Sequence, residues 1–326
     1  MPGLHTTPIR SKRGSPDNTT LQSNVYYIRR PGPKSEAPQT AQEWDTLIRG
    51  CVTSARSEML DAFRSILEGG VSAGHEIQDD TSFSDWIQKS FDRWNQLTSD
   101  LPDEHPAKFR HGSWFCAYRL EPELEGLTPQ EILEHLRHIR KYTGWAPFWV
   151  PTREEIRPYL YDNMIECWLG KNNQDPAHAD FWRVSPNGYL FLLRGYQEDS
   201  TKELRPAEFF DLTLPVWHVS ECLLHAGNFN AKVSGDDTDI RIAFGWNGLA
   251  GRELTSWANR NRMLFNGKRT RQDSFQKEIV VTSLQIRDNL PEVVAEIANP
   301  LFELFDFFQM PAALPAEEIS RMLRGQ

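Results

Sequence analysis

The best metal-like spacing in the sequence is Trp217-His218-Val219-Ser220-Glu221-Cys222-Leu223-Leu224-His225. On a helix, His218, Cys222 and His225 fall at i, i+4 and i+7, which places two imidazoles and a thiol on one face, a set that suits zinc. Such a centre would make the chain a metal-dependent hydrolase. The competing reading is structural, because Val219, Leu223 and Ala226 form the adjoining apolar stripe and the polar residues would then edge a helix packed on a sheet. A second candidate is the basic run ANRNRMLFNGKRTRQDS at 258–274. It brings Arg260, Arg262, Lys268, Arg269 and Arg271 beside Trp257 and Phe265, offering charge to phosphates and ring faces to bases. Its alternative is a solubilising excursion between two strands.

Weaker signals surround these two. His178, between Asp175 and Asp180 in DPAHADFW, reads as a loop base or as a turn residue. His135 and His138 share a helix with Glu131 and Glu134, where alternating Glu and Arg mark a solvated face. Gly245, Gly248 and Gly251 match neither GxxxxGK[ST] nor GxGxxG, and read as a bulge or tight strand connection. The sequence has no GxSxG, no Cys-His signature and no two-carboxylate motif. A non-enzyme without a cofactor is therefore the favoured expectation.

The elements that would position these residues follow from periodicity and punctuation. Thr40-Ala-Gln-Glu43 has the form of a capping box. It opens a helix in which Trp44, Leu47, Ile48, Cys51, Val52, Ala55, Met59, Phe63, Ile66 and Leu67 recur at helical spacing up to Gly69-Gly70. Thr81 or Ser82 caps a second helix to about residue 98, carrying Phe83, Trp86, Ile87, Phe91, Trp94 and Leu97. Beyond it, a strand begins in GSWFCAYRLEPELEG, and Thr128-Pro129-Gln130-Glu131 opens a short helix with Pro at N1. YLYDNMIECWLG, FWRV and YLFLLRGYQED read as further strands, the last two joined through Ser185-Pro186-Asn187-Gly188. LPVWHVSECLLHAGNFNAKV is a helix, and DIRIAFGW and KEIVVTSLQI are strands. Asp288-Asn289-Leu290-Pro291 should open a final helix that Pro300 kinks or divides. Strands in runs, without strict βαβ alternation, predict an α+β fold: an N-terminal helical hairpin, then a mixed, mainly antiparallel sheet with helices packed on it. The expected domains are 1–39, extended and basic, 40–98, a helical hairpin connector, and 99–326, an α+β domain.

Composition sets the outer bounds. The 326 residues carry a net charge of −9 with 11 tryptophans, a number large enough to suggest contact surfaces as well as core. The charge is uneven: Arg10, Lys12, Arg13, Arg29, Arg30 and Lys34 oppose Asp17 alone in residues 1–34, and residues 252–277 are similarly basic within an acidic body. No apolar run is long enough for a membrane span, and the N-terminus lacks the apolar region of a secretory signal, so a cytoplasmic protein is expected. Cys51, Cys116, Cys167 and Cys222 lie far apart and read as reduced, buried thiols.

One segment carries a resemblance. Tyr26, Tyr27, Ile28, Arg29, Arg30, Gly32, Ser35, Glu36 and Pro38 form a YYIRR-G-xx-SE-x-P run ahead of the Thr40 cap, which resembles the closing strand of the Schlafen-type AlbA domain, a prokaryotic DNA-binding or ATP-binding module. GWAPFWVPTR, DFWRVSPNGYLFLLRGYQED and NPLFELFDFF also look like regions that follow such domains in bacterial proteins. The family's acidic and lysine-bearing motifs lie upstream of this strand, so none of its site residues carries over. What the resemblance implies is a non-catalytic sensing or partner-binding module of a nucleic-acid-linked regulator or phage-defence protein. An AlbA-type domain, another protein or nucleic acid would be its partner, and the hairpin's apolar faces would also serve homo-oligomerisation. A transcriptional regulator binding DNA or RNA through the 258–277 loop is the alternative. Unless another chain supplies a sheet, residues 1 to about 38 should be extended, or borrow an edge from the α+β domain.

Overall fold

The computed structural model describes residues 28–29, 35–36, 81–170, 175–236, 238–262, 264 and 267–324. The chain divides into two units, Met1–Gln78 and Asp79–Gln326. In the first, β1 (Ile28–Arg29) and β2 (Ser35–Glu36) pair antiparallel, Ile28 opposite Glu36 and Arg29 opposite Ser35. These residues, expected to be extended or to borrow an edge from the α+β domain, thus pair with each other. The helix expected from Thr40 lies outside the described residues, as does Cys51.

The second unit is α+β. Its helices are α1 (Thr81–Thr98), α2 (Pro129–Arg137), α3 (Leu214–Val233), α4 (Ser283–Glu303) and α5 (Leu314–Leu323). Its main sheet is built from β3 (Ser113–Glu121), β4 (Tyr159–Tyr161), β5 (Met164–Trp168), β6 (Phe181–Val184), β7 (Tyr189–Gly195), β9 (Asp239–Asn247) and β11 (Ser274–Thr282). The strand order is β11-β9-β3-β7-β6-β5-β4, antiparallel throughout. A separate parallel pair joins β8 (Phe209–Asp211) to β10 (Glu253–Thr255).

Alternate residues of each strand point to opposite faces, and here helices cover both. On β3, Trp114, Cys116, Tyr118 and Leu120 join the large core with α3 and α4, while Phe115 and Ala117 join a second cluster with Phe83, Trp86 and Ile87 of α1. Burial on both faces explains why β3, β6 and β7 read as almost continuous apolar runs. It also places α1 on the sheet, within the larger unit, where the sequence had grouped it with a connector.

Several local signals act as expected. Thr128 and Glu131 form a reciprocal capping box with Pro129 in the first turn of α2. Gly188, at φ +89°, closes the β6–β7 turn through its N–H to the Ser185 carbonyl, at 3.0 Å. Asp162 and Asn163, both at positive φ, turn β4 into β5. The last long helix breaks where a start was expected, just ahead of Pro291, but differs in having a helical stretch upstream and in running through Pro300. It starts at Ser283, where Thr282 and Gln285 supply a capping box, and its non-helical residue is Asn289 (φ −133°, ψ 34°), with Pro300 remaining inside. Pro291 lacks the N–H that would bond back toward residue 287 and its ring crowds that turn, so the break falls just ahead of it.

Candidate functional site

The start of α3 is held by carboxylates rather than by its own cap. Thr213 at the N-cap makes no side-chain bond to the helix. Instead Asp211, at the end of β8, accepts through Oδ1 from the amides of Thr213 and Leu214, at 2.7 and 2.9 Å, and through Oδ2 from the amide of Ala258, at 2.9 Å. One buried carboxylate therefore fixes both the first turn of α3 and the loop after β10. Glu198 in turn accepts from the Asp211 amide at 2.7 Å. Burial, then the neighbouring Asp211 charge, pushes the Glu198 carboxyl up to about 7.

Between this helix start and the end of β7 lies a pocket of about 610 Å³. Three tryptophans line it, Trp145, Trp217 and Trp257, together with His178, Arg194, His218, Glu221, Gln197 and the Arg260–Glu203 pair. Arg194 is buried and bonds Asp180 through two nitrogens, Nε at 2.9 Å and Nη2 at 2.6 Å, while donating to the carbonyls of Trp145 and Ala146. Trp145 Nε1 also donates to Asp180, at 3.1 Å, so the ion pair fixes the 145–146 segment against the sheet. Trp217 clusters with Leu214 and Met322, and Trp257 packs against that cluster. Arg321, which does not line the pocket, lies over the Trp217 ring at 5.5 Å. At the rim, Trp257 Nε1 and Arg260 Nη2 both donate to Glu203 Oε2, at 2.8 and 2.6 Å.

Three titratable groups complete the lining. Glu221 accepts from the Thr143 amide at 2.9 Å and from the Thr143 hydroxyl at 2.8 Å. Burial pushes its carboxyl up, with those bonds and the charge of Arg194 opposing. His178 Nδ1 bonds Asp175 at 2.5 Å. Burial would raise the Asp175 carboxyl, but bonds with Ser200, His178 and the Ala177 amide hold it below its ordinary value. His218 lies parallel to the Trp114 ring, with centroids 4.5 Å apart, and burial with the Arg194 charge lowers its pKa to about 3. It is a neutral imidazole at physiological pH.

The proposed zinc stripe has a different use. His218 stacks on Trp114, Cys222 contacts Cys116, and His225 Nδ1 shares a hydrogen bond with the Tyr118 hydroxyl at 3.1 Å. The i, i+4, i+7 stripe of α3 thus meets the i, i+2, i+4 stripe of β3, each side chain against its own partner. Seven helical residues advance about 10 Å and four strand residues about 13 Å, so the two spacings nearly match. Among the described residues no group of three His, Cys, Asp or Glu could hold a metal ion. His218, Cys222 and His225 are corrected from a metal set to a packing seam. Buried Cys116, Cys167 and Cys222 are free thiols, as expected.

The basic loop joins β10 to β11, as its structural reading required. Arg260 pairs with Glu203, Arg262 with Glu317 and Glu318, and Arg269 with Glu253. Lys268 lies 5.8 Å from the Phe308 ring, and Arg271 is exposed. Three of the five cations are thus engaged by carboxylates of the same unit. His138 bonds the Glu134 carbonyl on an exposed helix end, in keeping with a solvated face. Gly248 and Gly251, at φ +73° and +80°, serve the tight β9–β10 connection, and Gly245 gives room to the Phe115 ring.

A larger hollow of about 720 Å³ runs along α1, but its arginines are committed. Arg93 and Arg183 share the buried Glu166, at 3.0 and 3.6 Å, and lie over Tyr161 and Trp86. The pocket at α3 has the richer chemistry. Sequence reasoning reached His178, His218, Trp257 and Arg260 by separate routes but missed Trp145, Arg194, Trp217 and Glu221; for the two tryptophans the one signal was their abundance in the chain, and for Arg194 and Glu221 there was none. Among the described residues no helix is long and apolar enough to cross a membrane. No family model, curated protein or solved structure matches the chain.

Proposed function

We propose that residues 79–326 form a non-catalytic sensing module whose small-molecule ligand enters the pocket between the start of α3 and the end of β7. The observation that carries this reading is the convergence of Trp145, Trp217 and Trp257 on one cavity of about 610 Å³, within the range of small-molecule sites. Its polar groups are held by buried bonds, as a preorganised binding site requires. A reactive site is less well supported, because the lining residues include no serine, cysteine or lysine, and the Thr143 hydroxyl is donated to Glu221. The resemblance of residues 26–38 to the end of an AlbA domain supplies the setting in this proposal: a cytoplasmic nucleic-acid-linked regulator or phage-defence protein, with pocket occupancy as its input.

The test is calorimetric titration of the full chain with a broad panel of neutral, cationic and anionic metabolites. We expect a ligand that is recovered chemically unchanged after incubation and whose binding is lost in Trp257→Ala. A ligand consumed by the protein would overturn the non-catalytic reading, and a panel without any binder would overturn the pocket itself.

A further inference from the structure

We infer that the ligand of this pocket carries an organic cation, an alkylated ammonium or a guanidinium, recognised by the indoles of Trp145, Trp217 and Trp257 and by the carboxylate of Glu221. This rests on the pocket being a ligand site and adds the charge of what it takes. The positive charges in the lining are already committed. Arg194 is bonded by two nitrogens to Asp180, and Arg260 is paired with Glu203. An anionic ligand would have to compete with those carboxylates for each of them.

Glu221 is in the opposite position. It is 4% exposed and makes no ion pair among the described residues; its bonds come from the amides of Tyr142 and Thr143 and the hydroxyl of Thr143. Arg137, Arg140 and Lys141 surround a smaller hollow that shares Glu221, yet Arg137 pairs with Glu134 and Arg140 lies over the Tyr142 ring. Taking a carboxylate out of water is unfavourable, and the charge of Arg194, itself bonded to Asp180, offsets this only in part, so a cation arriving from the pocket would relieve the remainder. Indole faces add to the attraction, since the ring quadrupole draws cations most strongly where water is excluded. The neutral His218 adds no opposing charge to the wall.

Paired ligands of equal shape test the charge directly. The full chain is titrated calorimetrically with choline and with the neutral isostere in which carbon replaces its nitrogen, and with arginine and citrulline. Tetramethylammonium, spermidine and adenosine monophosphate complete the set. We expect at least one cation to bind, to exceed its neutral isostere by about tenfold or more, and to lose about tenfold in affinity in Glu221→Gln. Trp257→Ala, at the rim, should weaken the same cation, which guards against a folding defect in the buried variant; circular dichroism checks both. Equal binding of isostere and cation, or preference for the anion, would overturn the charge inference and leave the pocket reading intact. Cation affinity unchanged in both variants would place the cation elsewhere and overturn it as well. A protein that binds no member of the wider panel would lose both readings together.

Discussion

Replacing Glu198 by Gln should make the protein more stable at alkaline pH while leaving it nearly unchanged in mild acid. Glu198 is buried, and burial followed by the Asp211 charge moves its carboxyl from an ordinary 4.5 to about 7. A tenfold change in proton affinity corresponds to about 1.4 kcal/mol, so ionising this group in the folded chain costs about 3 kcal/mol relative to the unfolded chain. The folded state holds the proton more tightly, which gives the direction. The contribution is fully present below about pH 4.5, declines as pH rises toward 7, and is absent above that. Glutamine keeps an oxygen to accept from the Asp211 amide but cannot ionise. Urea unfolding of the full-length protein and Glu198→Gln at pH 5 and pH 8, followed by circular dichroism and tryptophan fluorescence, should show similar midpoints at the lower pH. At the higher pH the variant should gain up to about 3 kcal/mol with an unchanged denaturant slope. A difference between the two proteins that is the same at both pH values would refute the assignment of this proton. The result bears on the pocket because Glu198 holds Asp211, which holds the first turn of α3 and the loop bearing Trp257.

Arg252 is fully buried, paired with Asp199 at 2.7 Å and bonded to the carbonyls of His111, Phe209 and Gly248. Arg252→Met leaves that carboxylate buried and unpaired, and should cost about 3–5 kcal/mol in denaturant unfolding. A Cβ added at Gly245 would meet Phe115 Cε1 at 2.0 Å. Gly245→Ala should therefore destabilise by about 1–3 kcal/mol, and Phe115→Leu in the same chain should recover part of that loss. The ion pairs of the basic loop predict that Arg260→Glu and Arg269→Glu change single-stranded oligonucleotide affinity by less than about twofold, whereas a steeply salt-dependent loss of about tenfold would establish residues 258–277 as a nucleic-acid interface.

What could be read from the sequence was what acts over a few residues. The Thr128–Glu131 box, Pro129, the Ser185–Gly188 turn and the span of α3 are set by bonds or backbone preferences within about one turn of chain, and the structure contains them. Apolar runs identified the strands, because burial between two helical layers demands side chains of one kind on both faces. The boundary between β11 and α4 was less legible, since VVTSLQI is apolar enough to continue a strand and only the Thr282–Gln285 box reports the change.

The order of strands, the parallel pairing of β8 with β10 and the pocket itself depend on residues far apart in the chain, for which no short-range pattern exists. The His218, Cys222 and His225 stripe shows the division most clearly. Sequence determined that these three share a helix face, because the turn of an α-helix is a property of any local backbone. Tertiary structure alone decided what the face meets: Trp114, Cys116 and Tyr118 of β3 take the three side chains one by one, and the ring nitrogens and thiol that might have shared a metal are instead packed apart along the seam.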